Sequence, residues 1–339
     1  MLERMVRFTV LASGSKGNAT VLSGGRTRIL VDAGVSCREL FRRMGSVGED
    51  PETLDAILVT HEHSDHVAGI SVTARKLGIP VYFTEATHRA WMRWCTPHHR
   101  MTYAQWIEKR RELAAAGQDE AESDAEDEPD VESAENLTLD VVAASAEADS
   151  ACAEAASSRP PTRAHASEKD PSRLPAVEYF QAGEPFAIGD IEVSPFTIPH
   201  DAADPCGFVF RTEGVRLAYA TDLGYMAPNV KSQLQGVDLL LLESNHDLDM
   251  LRDGPYPWQV KQRVLSRVGH LSNDAAASFL EDDYDGQAAY IILGHLSESN
   301  NLPELARLAA EQALAGRMSL VANHLLLASQ SQPLDPIRF

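Results

Sequence analysis

Seven consecutive residues constrain this chain more than any other feature: Thr60-His61-Glu62-His63-Ser64-Asp65-His66. They continue the apolar run Ala56–Thr60, which reads as a buried strand, and they precede a predicted helix over Val67–Leu77. In that helix Val67, Ile70, Ala74 and Leu77 share a face, and Gly78 with Pro80 ends it. Three imidazoles and a carboxylate in one loop, held between a strand and a helix, form a donor set that suits zinc, manganese or iron. A helix N-terminus capped by Asp65 explains a single surface histidine better than it explains H-x-H-x-D-H.

The same punctuation recurs along the chain. Val6–Ala12 reads as a strand, followed by the turn Ser13-Gly14-Ser15-Lys16-Gly17-Asn18, and Arg28–Val31 as a second strand ending at Asp32. Ser36 and Glu39 form a capping box ahead of Leu40 and Phe41, which predicts a helix start. Further strands are expected at Ile191–Ile198, Gly207–Thr212, Val215–Ala220, Leu239–Glu243, Ala289–Leu293 and Leu320–Ala322. Helices are expected at Pro257–Val268, Asn273–Leu280 and Leu302–Ala315. Strands early in each half and helices late in the second suit a sheet-on-sheet core with outer helices.

Charge separates one segment from the rest. Of the 50 acidic residues, 14 lie in 117–158, where there is no Lys or Arg; the remainder of the chain carries 36 acidic against 30 basic residues. Acidity therefore belongs to that segment more than to the folded surface, and argues little against a polyanionic substrate. Residues 108–174 read as an acidic, low-complexity insertion, disordered or loosely helical, because so polar a stretch cannot offset its ordering entropy. Residues 1–107 and 175–339 read as the two halves of one domain. Cys37, Cys95, Cys152 and Cys206 form no C-x-x-C pair and read as reduced thiols. No apolar run approaches the roughly 18–20 residues that cross a bilayer, and Met1–Val10 is too polar for a signal peptide. A cytoplasmic protein without a membrane partner is expected.

The H-x-H-x-D-H motif resembles the metallo-β-lactamase superfamily. Further positions match its pattern in order, each at a predicted strand end: Asp32, His200 in Pro199-His200-Asp201-Ala202, Asp222 in Thr221-Asp222-Leu223-Gly224, and His295 in Leu293-Gly294-His295-Leu296-Ser297. The resemblance implies a four-layer αββα sandwich holding two divalent cations, zinc or manganese with iron possible. His61, His63 and His200 would bind one, Asp65, His66 and His295 the other, and Asp222 would bridge them, with Asp32 in support. Two such cations activate a hydroxide and stabilise charge on phosphate or carbonyl oxygen.

Longer strings resemble the YycJ/WalJ group of bacterial exonucleases. They are Leu11-Ala12-Ser13-Gly14-Ser15-Lys16-Gly17-Asn18, His200-Asp201-Ala202 with Pro205 and Gly207-Phe208, Glu243-Ser244-Asn245-His246-Asp247, Gly269-His270-Leu271-Ser272-Asn273, and His295-Leu296-Ser297 with Asn300-Asn301. The group implies metal-dependent hydrolysis of DNA, with links to DNA repair; the acidic insertion departs from it and could engage a protein partner.

Several roles stay open at this level. Ser13, Ser15 and Asn18 lie on a turn that can cradle phosphate or can simply be tight. His246 and His270 join Asp65 and Asp222 as candidate catalytic residues, able to protonate a leaving oxygen or equally to serve as supports. Lys261, Arg263 and Arg267 form a candidate cationic path for a DNA backbone, with Arg38, Arg42 and Arg43 a second cluster; a solvated helix face is the plain alternative. The competing functions are a small-molecule ester, lactone or cyclic phosphodiester hydrolase on the same fold, and a non-catalytic metal-binding regulator acting through the acidic arm.

Overall fold

Short apolar runs condense into two seven-stranded sheets in a computed structural model that describes residues 6–96, 172–315 and 324–339. The first sheet holds β1 (Arg7–Ala12), β2 (Ala19–Ser23), β3 (Arg28–Val31), β4 (Ala56–Leu58), β5 (Val81–Phe83), β6 (Val177–Tyr179) and β14 (Ile337–Arg338), in the order β14-β1-β2-β3-β4-β5-β6. The second holds β7 (Phe186–Ile188), β8 (Ile191–Thr197), β9 (Cys206–Thr212), β10 (Val215–Ala220), β11 (Leu239–Glu243), β12 (Tyr290–Gly294) and β13 (His324–Leu327), in the order β13-β12-β11-β10-β9-β8-β7.

Alternation along the strands makes the layers. In β11, Leu239 and Leu241 face the first sheet, where they join Phe8, Val10, Leu22, Ile29, Val31 and Leu58 in a core between the sheets. Leu240 and Leu242 point the other way, toward α8 (Asn273–Ser278) and α9 (Pro303–Leu314), against Ala276, Ala306 and Ala310. Each fully buried leucine contributes about 1.5–3 kcal/mol. Outside the first sheet, α1 (Cys37–Ser46) and α3 (Ile70–Leu77) bury Leu40, Met44, Ile70 and Ala74. The result is the expected αββα sandwich.

Strand register gathers the polar strand ends in one place. β3 and β4 are parallel, pairing Val31 with Leu58. So are β10, β11 and β12, pairing Ala220 with Leu242 and Glu243 with Gly294. Asp32, Thr60, Asp222, Glu243 and His295 therefore all emerge at carboxyl ends of neighbouring strands, the place where open parallel sheets collect ligands.

Some boundaries differ from expectation. Ser36 does cap α1, its hydroxyl accepting from the Glu39 N–H at 3.3 Å. The helix expected over Val67–Leu77 is two, α2 (Ser64–Val67) and α3, because the chain at Gly69 passes so close to its neighbour that a Cβ would lie 2.1 Å from the Val35 carbonyl oxygen. The helix expected over Pro257–Val268 spans only Trp258–Val264 (α7), and α8 gives way after Ser278 to a wider turn. Three helices, α4 (Glu85–Cys95), α5 (Pro228–Gln233) and α6 (Leu248–Asp253), add to those expected. The strand expected at Leu320–Ala322 lies outside the described residues, as do residues 108–171 of the expected insertion. Among the described residues Cys37 and Cys206 are free thiols, and no helix is long and apolar enough to cross a membrane.

Candidate metal centre

Four non-glycine residues in the described chain have positive φ, and three of them are Asp32 (59°), Asp222 (62°) and His295 (55°). A left-handed residue turns the chain sharply as it leaves a strand, at a conformational cost that Asp, Asn and His bear better than most residues. Here it swings each side chain back over the strand ends.

Two histidine clusters result. His61 Nε2 lies 3.1 Å from His63 Nδ1, which lies 3.2 Å from His200 Nε2. Nitrogens of a tetrahedral zinc site stand roughly 3.4 Å apart, so three imidazoles at this spacing converge on a common point. Around it, the His61 Nδ1 meets the Thr60 hydroxyl at 3.0 Å, and His200 Nδ1 donates to the Gly269 carbonyl at 3.1 Å. Glu62 pins the loop carrying His200 by accepting from the Ala203 N–H at 2.8 Å.

The second cluster is Asp65, His66 and His295. Asp65 Oδ2 is 3.4 Å from both His66 Nε2 and His295 Nε2. The other nitrogen of each ring is held by a buried carboxylate: His66 Nδ1 by Asp32 at 2.8 Å, and His295 Nδ1 by Glu243 at 2.9 Å. Such carboxylate–imidazole pairs fix the tautomer and aim Nε2 outward as a ligand. Asp32 also accepts from the Thr60 N–H and hydroxyl. Asp222 sits between the clusters, with Oδ2 3.4 Å from His66 Nε2 and Oδ1 3.9 Å from His200 Nε2. Its Oδ2 is buried and has no hydrogen-bond partner.

Charge favours cation binding. Burial keeps the His61 imidazole well below its ordinary range, and His63 and His200 below it, so all three are neutral with lone pairs to give. Burial would raise Asp65 and Asp222, but the surrounding imidazoles outweigh it and hold both carboxyls well below their usual range. Neutral imidazoles at His61, His63 and His200, ionised carboxylates and an orphaned carboxylate oxygen suit a divalent cation, whereas the carboxylates around His66 and His295 hold those two rings well above their ordinary range, so a cation bound there would displace protons; the triads His61–His63–His200 and Asp65–His66–His295 each bring three ligand atoms within 4.8 Å.

Sequence reasoning assigns Glu243 no role, yet it is fully buried at the end of β11 and joins the site. Oε1 accepts from both His270 Nδ1 and His295 Nδ1 at 2.9 Å, and Oε2 from the Leu223 and Leu271 N–H groups. A charged residue ending the run Leu239–Leu242 is the available signal. Burial opposes its charge, yet His270 and His295 bring its carboxyl down to about 2. His270 lies at the rim, its ring 5.1 Å from those of His200 and His295.

The other candidate residues are placed differently. Asn18 is buried against the ligands themselves, its amide nitrogen 3.1 Å from Asp65 Oδ2 and 3.0 Å from His66 Nε2. The Ser13 hydroxyl accepts from the His295 N–H at 2.8 Å. Ser15 is exposed on the turn. Lys261 caps the end of α6 by donating to the Arg252 and Gly254 carbonyls, Arg263 pairs with Asp201, and the Arg267 guanidinium lies 4.1 Å from the centre of the Tyr225 ring. Of the second cluster, Arg42 and Arg43 pair with Glu39, and Arg43 also donates to the Leu11 and Gln330 carbonyls. His246 joins neither cluster.

Comparison with known proteins agrees with this geometry. Residues 12–139 match the metallo-beta-lactamase superfamily, and residues 137–295 match a beta-lactamase superfamily domain. The chain is 31% identical over 309 residues to exodeoxyribonuclease YycJ of Bacillus anthracis, covering 91% of this chain and 89% of that one. It is 30% identical over 315 residues to exodeoxyribonuclease WalJ of Streptococcus pneumoniae, covering 93% and 90%. Among solved structures, the metallo-beta-lactamase fold protein YhfI of Bacillus subtilis aligns over 97% of this chain and 99% of its own, with a TM-score of 0.56 at 15% identity, a likeness of fold.

Proposed function

The chain belongs to the metallo-β-lactamase superfamily and to its YycJ/WalJ group, which makes it a metal-dependent hydrolase, and from that premise we propose that it is a DNA exonuclease working with two divalent cations. The observation that carries the two-cation reading is the orphaned Asp222 carboxylate between two complete triads of donors. His61, His63 and His200 would hold one cation and Asp65, His66 and His295 the other, with Asp222 within reach of both triads. When bound, such cations lower the pKa of water and take up charge developing on a phosphoryl oxygen.

The chain's own residues supply the rest. Asp32 and Glu243 hold His66 and His295 in one tautomer, so that the ligand nitrogens need no reorganisation during reaction. Asn18 and Ser13 lock the metal loop to the strand end that carries His295. His270, whose Nδ1–H is held by Glu243, leaves Nε2 free to take a proton from solvent and pass it to the leaving oxygen. The partly exposed Arg263 and Arg267 keep a role along the substrate backbone beside their internal partners.

A time course on end-labelled linear duplex DNA with Mn²⁺, run beside His61→Ala, tests this. Stepwise shortening that the variant loses by about 10²-fold or more is expected. Absence of cleavage by protein with its metals bound overturns the DNA reading in favour of a small ester or phosphodiester.

A further inference from the structure

A cavity of about 430 Å³ opens beside the metal centre and shares His270 as a wall. Its volume lies in the range of small-ligand sites. Tyr225, Met226, Leu265, Leu271 and Phe279 give it apolar walls. One polar side chain faces it from a buried position: His246 is 1% exposed, and neither ring nitrogen has a hydrogen-bond partner. The backbone at His246 is fixed, its carbonyl accepting from the Asn273 N–H at 2.9 Å and its strand bridging to Ser272. Leaving a buried polar group unpaired is costly, so a ring in that condition on a fixed backbone points to an absent partner.

The chemistry of the walls narrows the partner. Burial brings the His246 imidazole down to about 4, so it is uncharged near neutrality and presents one N–H donor and one acceptor. It is a poor clamp for phosphate. Lys231, the cation of the wall, is paired with Asp283 at 2.6 Å, and Asp282 adds a negative charge. Nothing there favours a second anion. A flat heteroaromatic group with donors and acceptors on its edge meets all of these conditions, and nucleobases are held elsewhere by the same pairing of apolar contact and edge hydrogen bonds.

We infer that this cavity receives the base of the terminal nucleotide, with His246 bonding its edge, while the adjoining phosphate reaches the metal centre past His270. The inference rests on the exonuclease reading and deepens it. One nucleoside fills the space, so a single unpaired terminal base is accepted, and a base within a duplex must first leave its stack. His246 thereby becomes a specificity residue instead of a proton donor.

Titration calorimetry on the Mn²⁺-loaded chain tests this with deoxyadenosine 5′-monophosphate, its 3′ isomer and 2-deoxyribose 5-phosphate as probes. One nucleotide isomer is expected to bind at least about tenfold more tightly than the sugar phosphate, a difference of about 1.4 kcal/mol. His246→Leu, and separately Ser278→Trp, which places bulk in the cavity from an exposed helix position, each reduce that preference to less than about threefold. The inference is overturned if the sugar phosphate binds as tightly as both nucleotides, or if neither substitution alters the ratio. End-labelled DNA separates the two readings. Shortening without a nucleotide preference removes the pocket alone, and a nucleotide preference without shortening removes the exonuclease alone.

Discussion

Replacing Glu243 by Gln changes one atom's chemistry at the point where two imidazoles meet. The side chain keeps its shape but exchanges an acceptor oxygen for an NH2 donor. Two orientations compete. Turning the NH2 toward the Leu223 and Leu271 N–H groups sets donor against donor and leaves two buried amides unpaired, about 1–3 kcal/mol each. Turning it toward His270 and His295 keeps both backbone bonds, so this orientation wins. Nδ1 of each ring must then accept, and the ring proton moves to Nε2. His295 Nε2 no longer offers its lone pair to a cation beside Asp65. Loss of such a support costs about 10–100-fold in metal affinity, or about 1.4–2.7 kcal/mol. Calorimetric titration of Mn²⁺ into stripped protein measures it. One of two sites should weaken by that factor, with the site built on His61, His63 and His200 within about threefold of the parent. Two unchanged sites, or a larger loss at the His61 site, would refute the reasoning.

Three further outcomes are expected. Chelation should lower the melting temperature as well as abolish hydrolysis, because it leaves the buried Asp222 Oδ2 without a hydrogen-bond partner; thermal unfolding with and without EDTA measures the effect. Gly34→Ala should strip the second cation and destabilise the fold by several kcal/mol, since its Cβ would lie 1.6 Å from the Asp65 carbonyl oxygen, and metal content with denaturant unfolding reads both. Hydrogen bonds from Arg42 and then Arg43 bring Glu39 to about 2, against roughly 4.3 unfolded. That stabilisation is complete above the unfolded value and disappears as pH falls through the folded one. The difference in stability between parent and Glu39→Gln should therefore vanish between about pH 4.5 and 2, and stay below about 1 kcal/mol because Arg42, the larger contributor, is exposed and Glu39 partly so; a plateau unchanged down to pH 2 would contradict the pairing.

Much of the candidate centre is legible in the sequence because the residues proposed as ligands are chemically extreme ones at strand ends. His61, His63, Asp65 and His66 announce themselves by spacing, and His200, Asp222 and His295 by following predicted strands. Glu243 is hard to find because a single carboxylate closing a run of leucines is its whole signal; the hydrogen bonds to His270 and His295 that give it a role come from residues distant in sequence. Lys261, Arg263 and Arg267 look like one cationic face, but each is engaged within the fold, Lys261 by the end of α6 and Arg263 and Arg267 by Asp201 and Tyr225, which are distant in sequence. The break at Gly69 is invisible for a similar reason, since the obstacle is the Val35 carbonyl, supplied by another loop. The short strands β5, β6, β7 and β14 are too brief for any periodicity to register.

The left-handed turns at Asp32, Asp222 and His295 filter substitutions twice over. Backbone geometry admits glycine, asparagine, aspartate and histidine most readily, while the chemistry demands a lone pair aimed at a fixed point. Asparagine meets the first demand at either aspartate but brings one neutral acceptor oxygen where the carboxylate offers two charged ones. It is also a single base change from aspartate. A lineage released from catalytic selection therefore has an open route to a chain that keeps this fold and abandons its reaction, with Asn at position 32 or 222 as the mark it would leave. A β-branched residue at the same positions would instead strain the turn itself, so variants of that kind should be rare even among inactive descendants.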